Sequence, residues 1–181
     1  MRLRPLKLKG AYEIEFNRIA DERGYFMRSY DHDVFADLGL RTDWKQESTS
    51  FNRLKNTVRG LHFQKPPYVE SKIVRVSQGA ILDVLVDLRK DSLTFGEWYS
   101  AELSVENNKA LYIPGGFAHG FRTLVDNSMI EYKIDVPYHA DLADGIRWND
   151  ESLSIDWGVQ EPIISERDRS LQYFADFDSP F

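Results

Sequence analysis

The sequence predicts an all-β fold: one barrel or sandwich of jelly-roll type, with a few short peripheral helices, spanning residues 1–181 as a single domain. Three observations predict it. Short runs alternate apolar and polar residues with period two, turn-forming residues fall between those runs, and only two stretches carry helix-start signals. With 181 residues, 42% hydrophobic and 29% charged, the chain is long enough to bury a core of its own.

Taken in order, Asp21-Glu-Arg-Gly24 is the first turn signal. A helix is expected over Asp33–Leu38, with Asp31 or Asp33 as its N-cap and Gly39 as its left-handed stop. Next, simple alternation puts His62 on one face with Val58 and Gly60, and Arg59 on the other, so a bulge or a rim position is expected to separate their roles. Lys72 shares a face with Val74 and Val76. After a turn at Gln78-Gly79, Leu82, Val84, Val86 and Leu88 form an apolar face opposite Asp83 and Asp87. Beyond a turn at Lys90-Asp-Ser92, Ala101, Leu103 and Val105 alternate with Ser100, Glu102 and Ser104. Turns follow at Glu106-Asn-Asn108 and Pro114-Gly-Gly116, and Ile130, Tyr132, Ile134 and Val136 then share a face. A second short helix is expected after the cap Ser165.

Composition removes several classes of function. There is no cysteine, so neither a disulfide framework nor thiolate chemistry is available. A net charge of −6 argues against nucleic acid as a partner, although a few arginines gathered in one cleft would still attract an anion. The basic N-terminus lacks the apolar stretch of a signal peptide, and no apolar run approaches the ~20 residues of a membrane span. A cytoplasmic enzyme is expected, with no membrane partner.

The informative positions are ionisable groups that share parity with buried residues: His62, Lys72 and Tyr132. Singly, each has an ordinary explanation, since a core Tyr bonds a carbonyl, a Lys at a strand start reaches solvent, and a lone His is usually satisfied core. A small barrel has one interior, however, and three such groups converging there define a ligand site. Arg59-Gly-Leu-His62, Gly79 and Pro114-Gly-Gly-Phe-Ala-His119 have the spacing of the two cupin motifs. Many cupins hold a metal with a His-x-His pair, a Glu and the later His. Here the pair reads His62-Phe63-Gln64, and His62, His119 and Glu70 would make a poor triad because Gln is a weak ligand. No metal and no other cofactor is expected.

Those segments, with Asp83-Val-Leu-Val-Asp-Leu-Arg89, Ser92-Leu-Thr-Phe-Gly-Glu-Trp98, Ile113–Phe121, Asp21–Phe26, Gly145–Asp150 and Ser165–Asp168, resemble the dTDP-4-dehydrorhamnose 3,5-epimerase family in order and at family spacing. The resemblance implies a cupin jelly-roll homodimer in which a strand of one subunit completes the partner's site. It implies a nucleotide-diphosphate-sugar substrate with a 4-keto group, which acidifies the hydrogens on carbons 3 and 5. In its terms His62 is the base, Asp168 orients it, Lys72 stabilises the enolate, and Tyr132 is the acid on the opposite face. His119 falls at a substrate-contacting position, Arg23 and Arg59 at phosphate contacts, and Phe26 at an aromatic that reaches the neighbouring subunit's ligand. Gln46, Tyr138 and Arg167 fall at further substrate-binding positions.

Departures from the family pattern cluster on nucleotide contacts. Arg28 stands where the family has Glu, Ser48 replaces an Asn, Ala143 stands at a frequent Glu, and Arg167 replaces Lys. One extra residue lies between Gln46 and Arg59. A charge reversal at a base-recognition position removes an acceptor, so CDP and GDP stay open beside dTDP. Competing readings are a nucleotide-sugar 3,4-ketoisomerase or a metal-dependent cupin, against which the retained Tyr132 and the single first-motif His argue. The third is a non-catalytic sugar-nucleotide module, for which an ionisable cluster inside a barrel has no purpose.

Overall fold

The alternating stretches fold as two antiparallel sheets laid face to face in a computed structural model that describes residues 1–181. In chain order the elements are β1 (Arg2–Pro5), β2 (Tyr12–Glu15), β3 (Arg18–Asp21), β4 (Gly24–Met27), α1 (His32–Asp37), β5 (Gln46–Asn52), β6 (Val58–Gln64) and β7 (Lys72–Gln78). They continue as β8 (Ala80–Asp87), β9 (Trp98–Ser104), β10 (Lys109–Ile113), β11 (Phe117–Thr123), β12 (Ser128–Ile134), β13 (Ala143–Gly145), α2 (Glu166–Arg169) and a 3₁₀ turn at Phe174–Asp176. One sheet runs β1-β2-β10-β7-β12-β5 and the other β13-β6-β11-β8-β9, a jelly roll, while β3 and β4 form a separate hairpin. No helix is long and apolar enough to cross a membrane.

The lumen between the sheets is packed by Val74, Val76, Leu111 and Ile113 from one wall and Ile81, Leu85, Phe117 and Phe121 from the other. Each such side chain contributes roughly 1.5–3 kcal/mol relative to an exposed one. Both outer faces are covered as well. Helix α1 brings Phe35 against Ile73 and Tyr112 on the outside of the six-stranded sheet. The chain beyond Gly145 wraps the outside of the five-stranded sheet, where Phe177 and Phe181 pack their rings against Phe63 at 5.3 and 5.5 Å.

Both helices form where the caps predict. Asp31 accepts from the N–H groups of Asp33 and Val34, so α1 starts one residue earlier than expected, and Gly39 leaves it at φ +67°. Ser165 accepts from Asp168 N–H and caps α2.

Two parity readings are corrected. Val84, Val86 and Leu88 belong to the outer cluster under the C-terminal segment, whereas Asp83 and Asp87 are fully buried on the lumen side with Ile81 and Leu85. Because β8 is covered on both faces, period two cannot tell inside from outside. Likewise, His62 does not share a face with Val58. Pairing of β11 with β6 runs His119↔His62 and then Phe121↔Arg59, so three steps on β6 oppose two on β11. That bulge sends Val58, Leu61 and Phe63 into the outer cluster. His62 and Arg59 thereby come to the same side.

Candidate active site

The bulge is possible because two glycines meet there. Gly60 sits at φ +128°, and a Cβ on it would lie 2.5 Å from Gly120 Cα and 2.9 Å from His119 O, so only glycine fits. With the ladder shifted, Gly60 N–H donates to Asp168 Oδ2 at 3.2 Å, while the other oxygen, Oδ1, meets His62 Nε2 at 2.8 Å. One carboxylate on α2 thus fixes both the bulge and the imidazole. His62 stays 36% exposed at its side chain against 6% for Asp168, so the ring is reachable and its partner is not. Burial works against the Asp168 charge, but hydrogen bonds from His62, Gly60 and Ser165 outweigh it and hold the carboxyl below its ordinary value.

A second imidazole–carboxylate pair lies one strand over. His119, directly opposite His62, meets both oxygens of Asp83 at 3.0 and 2.9 Å, and both residues are buried. Burial drives the Asp83 carboxyl up, opposed by the charges of His119 and Lys72. Asp83 is the buried partner that alternation hid. Its signal is an Asp inside an otherwise continuous apolar run, Ile81–Val86, which marks a strand covered on both faces.

Tyr132 reaches the lumen from β12 in the opposite sheet, its ring 6.2 Å from that of His119. Burial first, then the nearby Asp83 charge, push its phenol far above the ordinary value, with Arg59 pulling the other way. The phenol is therefore a proton holder at neutral pH. Lys72 is also buried in the lumen wall, its ammonium 2.8 Å from Glu70 Oε1. Arg59 donates through Nε to Asn52 Oδ1 at 2.8 Å, so it spans from β6 to β5 at one end of the lumen. His62, Lys72, Tyr132, Asp168, Arg59 and His119 thus form one connected group.

The remaining expected site residues lie apart from it. Gln46 and Tyr138 sit at the rim, where Tyr138 N–H donates to Gln46 Oε1 at 3.2 Å and the Tyr138 ring is exposed. Arg167, on α2, is exposed and donates to Ala143 O at 3.4 Å. Arg23 and Phe26 belong to the β3–β4 hairpin and do not enter this chain's own lumen. The Arg23 side chain is 85% exposed and is bound to Asp21 of its own turn, while Phe26 is 65% exposed beside the exposed Ile19 and Tyr25. No three His, Asp or Glu side chains gather as a metal would need, and Glu70 faces Lys72 instead of the imidazoles.

Comparison with known proteins identifies the family. The family model described as dTDP-4-dehydrorhamnose 3,5-epimerase matches residues 5–176. A dTDP-4-dehydrorhamnose 3,5-epimerase of Methanothermobacter thermautotrophicus is 44% identical over 166 residues, covering 90% of this chain and 89% of the relative. The crystal structure of the Bacillus anthracis enzyme of that name, with TDP and pyrophosphate bound, superposes with a TM-score of 0.93 at 43% identity, covering 96% of this chain and 99% of that one. That of dTDP-6-deoxy-D-glucose-3,5-epimerase from Legionella pneumophila, in complex with dTDP-4-keto-L-rhamnose, gives a TM-score of 0.92 at 33% identity over 98% and 94% of the two chains. With that match running over residues 5–176, this chain is an isomerase belonging to the dTDP-4-dehydrorhamnose 3,5-epimerase family.

Proposed function

We propose that the whole chain, residues 1–181, works as one cytoplasmic epimerase domain on a dTDP-linked 4-keto-6-deoxyhexose, inverting carbon 3, carbon 5 or both. The observation that carries the reading is that His62 and Tyr132 stand on opposite sheets and face one lumen, one a reachable base and the other a phenol held protonated. Inversion of a carbon needs such an arrangement. His62, oriented by Asp168, takes the proton next to the ketone. The charge moves to the ketone oxygen, where the Lys72 ammonium stabilises it, and Tyr132 returns a proton to the other face. His119, fixed by Asp83, contacts the sugar between them.

The diphosphate lies at the rim against Arg59, with Gln46, Tyr138 and Arg167 along the nucleotide. Arg23 and Phe26 act in the site of a second subunit of a homodimer. Their exposure, with that of Ile19 and Tyr25, supports a hairpin built to be covered by another copy. The TDP and dTDP-sugar found in the Bacillus and Legionella relatives support a thymidine handle over cytidine or guanosine.

The test is incubation in deuterated water with a panel of dTDP-, CDP- and GDP-linked 4-keto-6-deoxyhexoses. Deuterium at carbon 3, carbon 5 or both of the dTDP sugar is the expected result, and it fixes how many centres are inverted. Absence of exchange with every panel member, beside a working control epimerase, would sink the reading.

A further inference from the structure

Gln64 closes β6 two residues beyond His62 and is only 2% exposed. A buried carboxamide needs partners for both ends, and this one has three, all of them backbone groups in two loops at the lumen mouth. Its Nε2 donates to Tyr68 O at 3.3 Å and to Pro137 O at 3.2 Å, while its Oε1 accepts from His139 N–H at 2.6 Å. The two loops also touch through their side chains, the Tyr68 and His139 rings stacking at 3.8 Å between centroids. Between residues 137 and 139, Tyr138 N–H is taken by Gln46 from the other sheet. Successive amides of one short strap are therefore held by two carboxamides from opposite walls.

We propose that Gln64 is a positioning residue that sets the 137–139 strap across the mouth and so determines affinity for the nucleotide handle. The inference rests on the functional reading above, in which Tyr138 lies along that handle. The strap joins β12, which carries Tyr132, to β13, which pairs with β6. It is fixed at residue 137 by a carbonyl acceptor and at residue 139 by an N–H donor, so the Tyr138 ring has one place to stand. Only an uncharged amide fills the role. A carboxylate would point lone pairs at two carbonyls, and an imidazole has too few donors. The proton chemistry is deeper in the lumen, so losing the strap's anchor weakens binding and leaves the chemical step in place.

Two variants test it. Gln64→Met keeps the volume and deletes all three bonds. KM for the dTDP-sugar is expected to rise about tenfold or more, with the Kd of dTDP alone rising by the same factor and kcat staying within about threefold. Gln64→Glu is expected to show the same defect at pH 8, where a carboxylate turns lone pairs toward the Tyr68 and Pro137 carbonyls. Unchanged KM and dTDP affinity in both variants, or a fall in kcat at constant KM, would overturn the proposal. Should Gln64→Met fail to fold, Gln64→Glu decides alone, and a KM and a dTDP affinity like those of wild type at pH 8 overturn it. Wild-type protein that turns over no 4-keto sugar would remove the functional reading and this inference together. Wild-type turnover with insensitive variants removes this inference only.

Discussion

His62 and Asp168 are 106 positions apart in the chain and meet at 2.8 Å, the carboxylate being carried by a four-residue helix packed against the strand that bears the imidazole. The same carboxylate takes the Gly60 N–H at the bulge beside that imidazole. Orientation of the imidazole and the backbone shape that aims it therefore depend on one side chain, and the consequences are measurable.

Asp168→Asn keeps the size of the side chain and removes its charge. We expect kcat to fall by about 10²–10⁴-fold with little change in KM, since the imidazolium loses its counter-ion during proton abstraction. The folded-state pKa of Asp168 is depressed, so its contribution to stability is present above the unfolded value and lost as pH falls through the folded one. Urea titrations should show the variant less stable than wild type at pH 7, with the gap shrinking below about pH 4. A gap that widens on acidification contradicts the assignment.

Tyr132→Phe separates the two faces of the reaction. His62 can still remove a proton and hand back a deuteron on its own side, so exchange from deuterated water should continue while inverted product drops by about 10²-fold or more. His62→Asn should abolish both. NMR of the recovered sugar nucleotide distinguishes the cases, and equal loss of exchange and inversion in Tyr132→Phe would remove the phenol from its role.

Gly60→Ala tests the bulge. Its Cβ would press on the backbone of Gly120 and His119, neither of which can rotate away, at a φ that L side chains avoid. We expect a loss of roughly 3 kcal/mol or more. Thermal unfolding reads this directly, and a melting point like that of wild type would mean that the strand reaches His62 by another path.

Asp83→Asn leaves an acceptor for His119 and deletes a buried charge. Burial raises the folded pKa of Asp83, so its ionised form costs stability above the unfolded value. The variant should match or exceed wild type in urea at pH 8, with any advantage vanishing toward about pH 4, while activity falls about tenfold or more. Lower stability at pH 8 together with normal activity would show that the pair serves packing alone.

Much of this was legible in the residues. The alternation Ile130–Ile134 placed Tyr132 inside, and Lys72 followed Val74 and Val76 inward, because each lies on a strand in which period two distinguishes the lumen from a different environment. Caps at Asp31 and Ser165 announced both helices through a local hydrogen bond. What stayed hidden depended on the other side of the molecule. Asp83 looked like the wet face of β8 because the C-terminal segment that buries its other face comes from far along the chain. Arg59 and His62 join one face only through a bulge set by Gly120 on the neighbouring strand. Asp168 was named by family resemblance and by nothing in its local pattern, and Gln64 read as a missing metal ligand until its three backbone partners were in view.

The separation of His62 from Asp168 also orders events during synthesis. At about 5–20 residues per second, the imidazole leaves the ribosome on the order of ten seconds before its carboxylate. Lys72, His119 and Tyr132 all precede Asp168 in the chain, so by the end of that interval both sheets can assemble around a lumen that holds them, with the imidazole unaimed. The sheets can thus form before His62 has its partner, and the contact that completes the pair is the docking of one short helix.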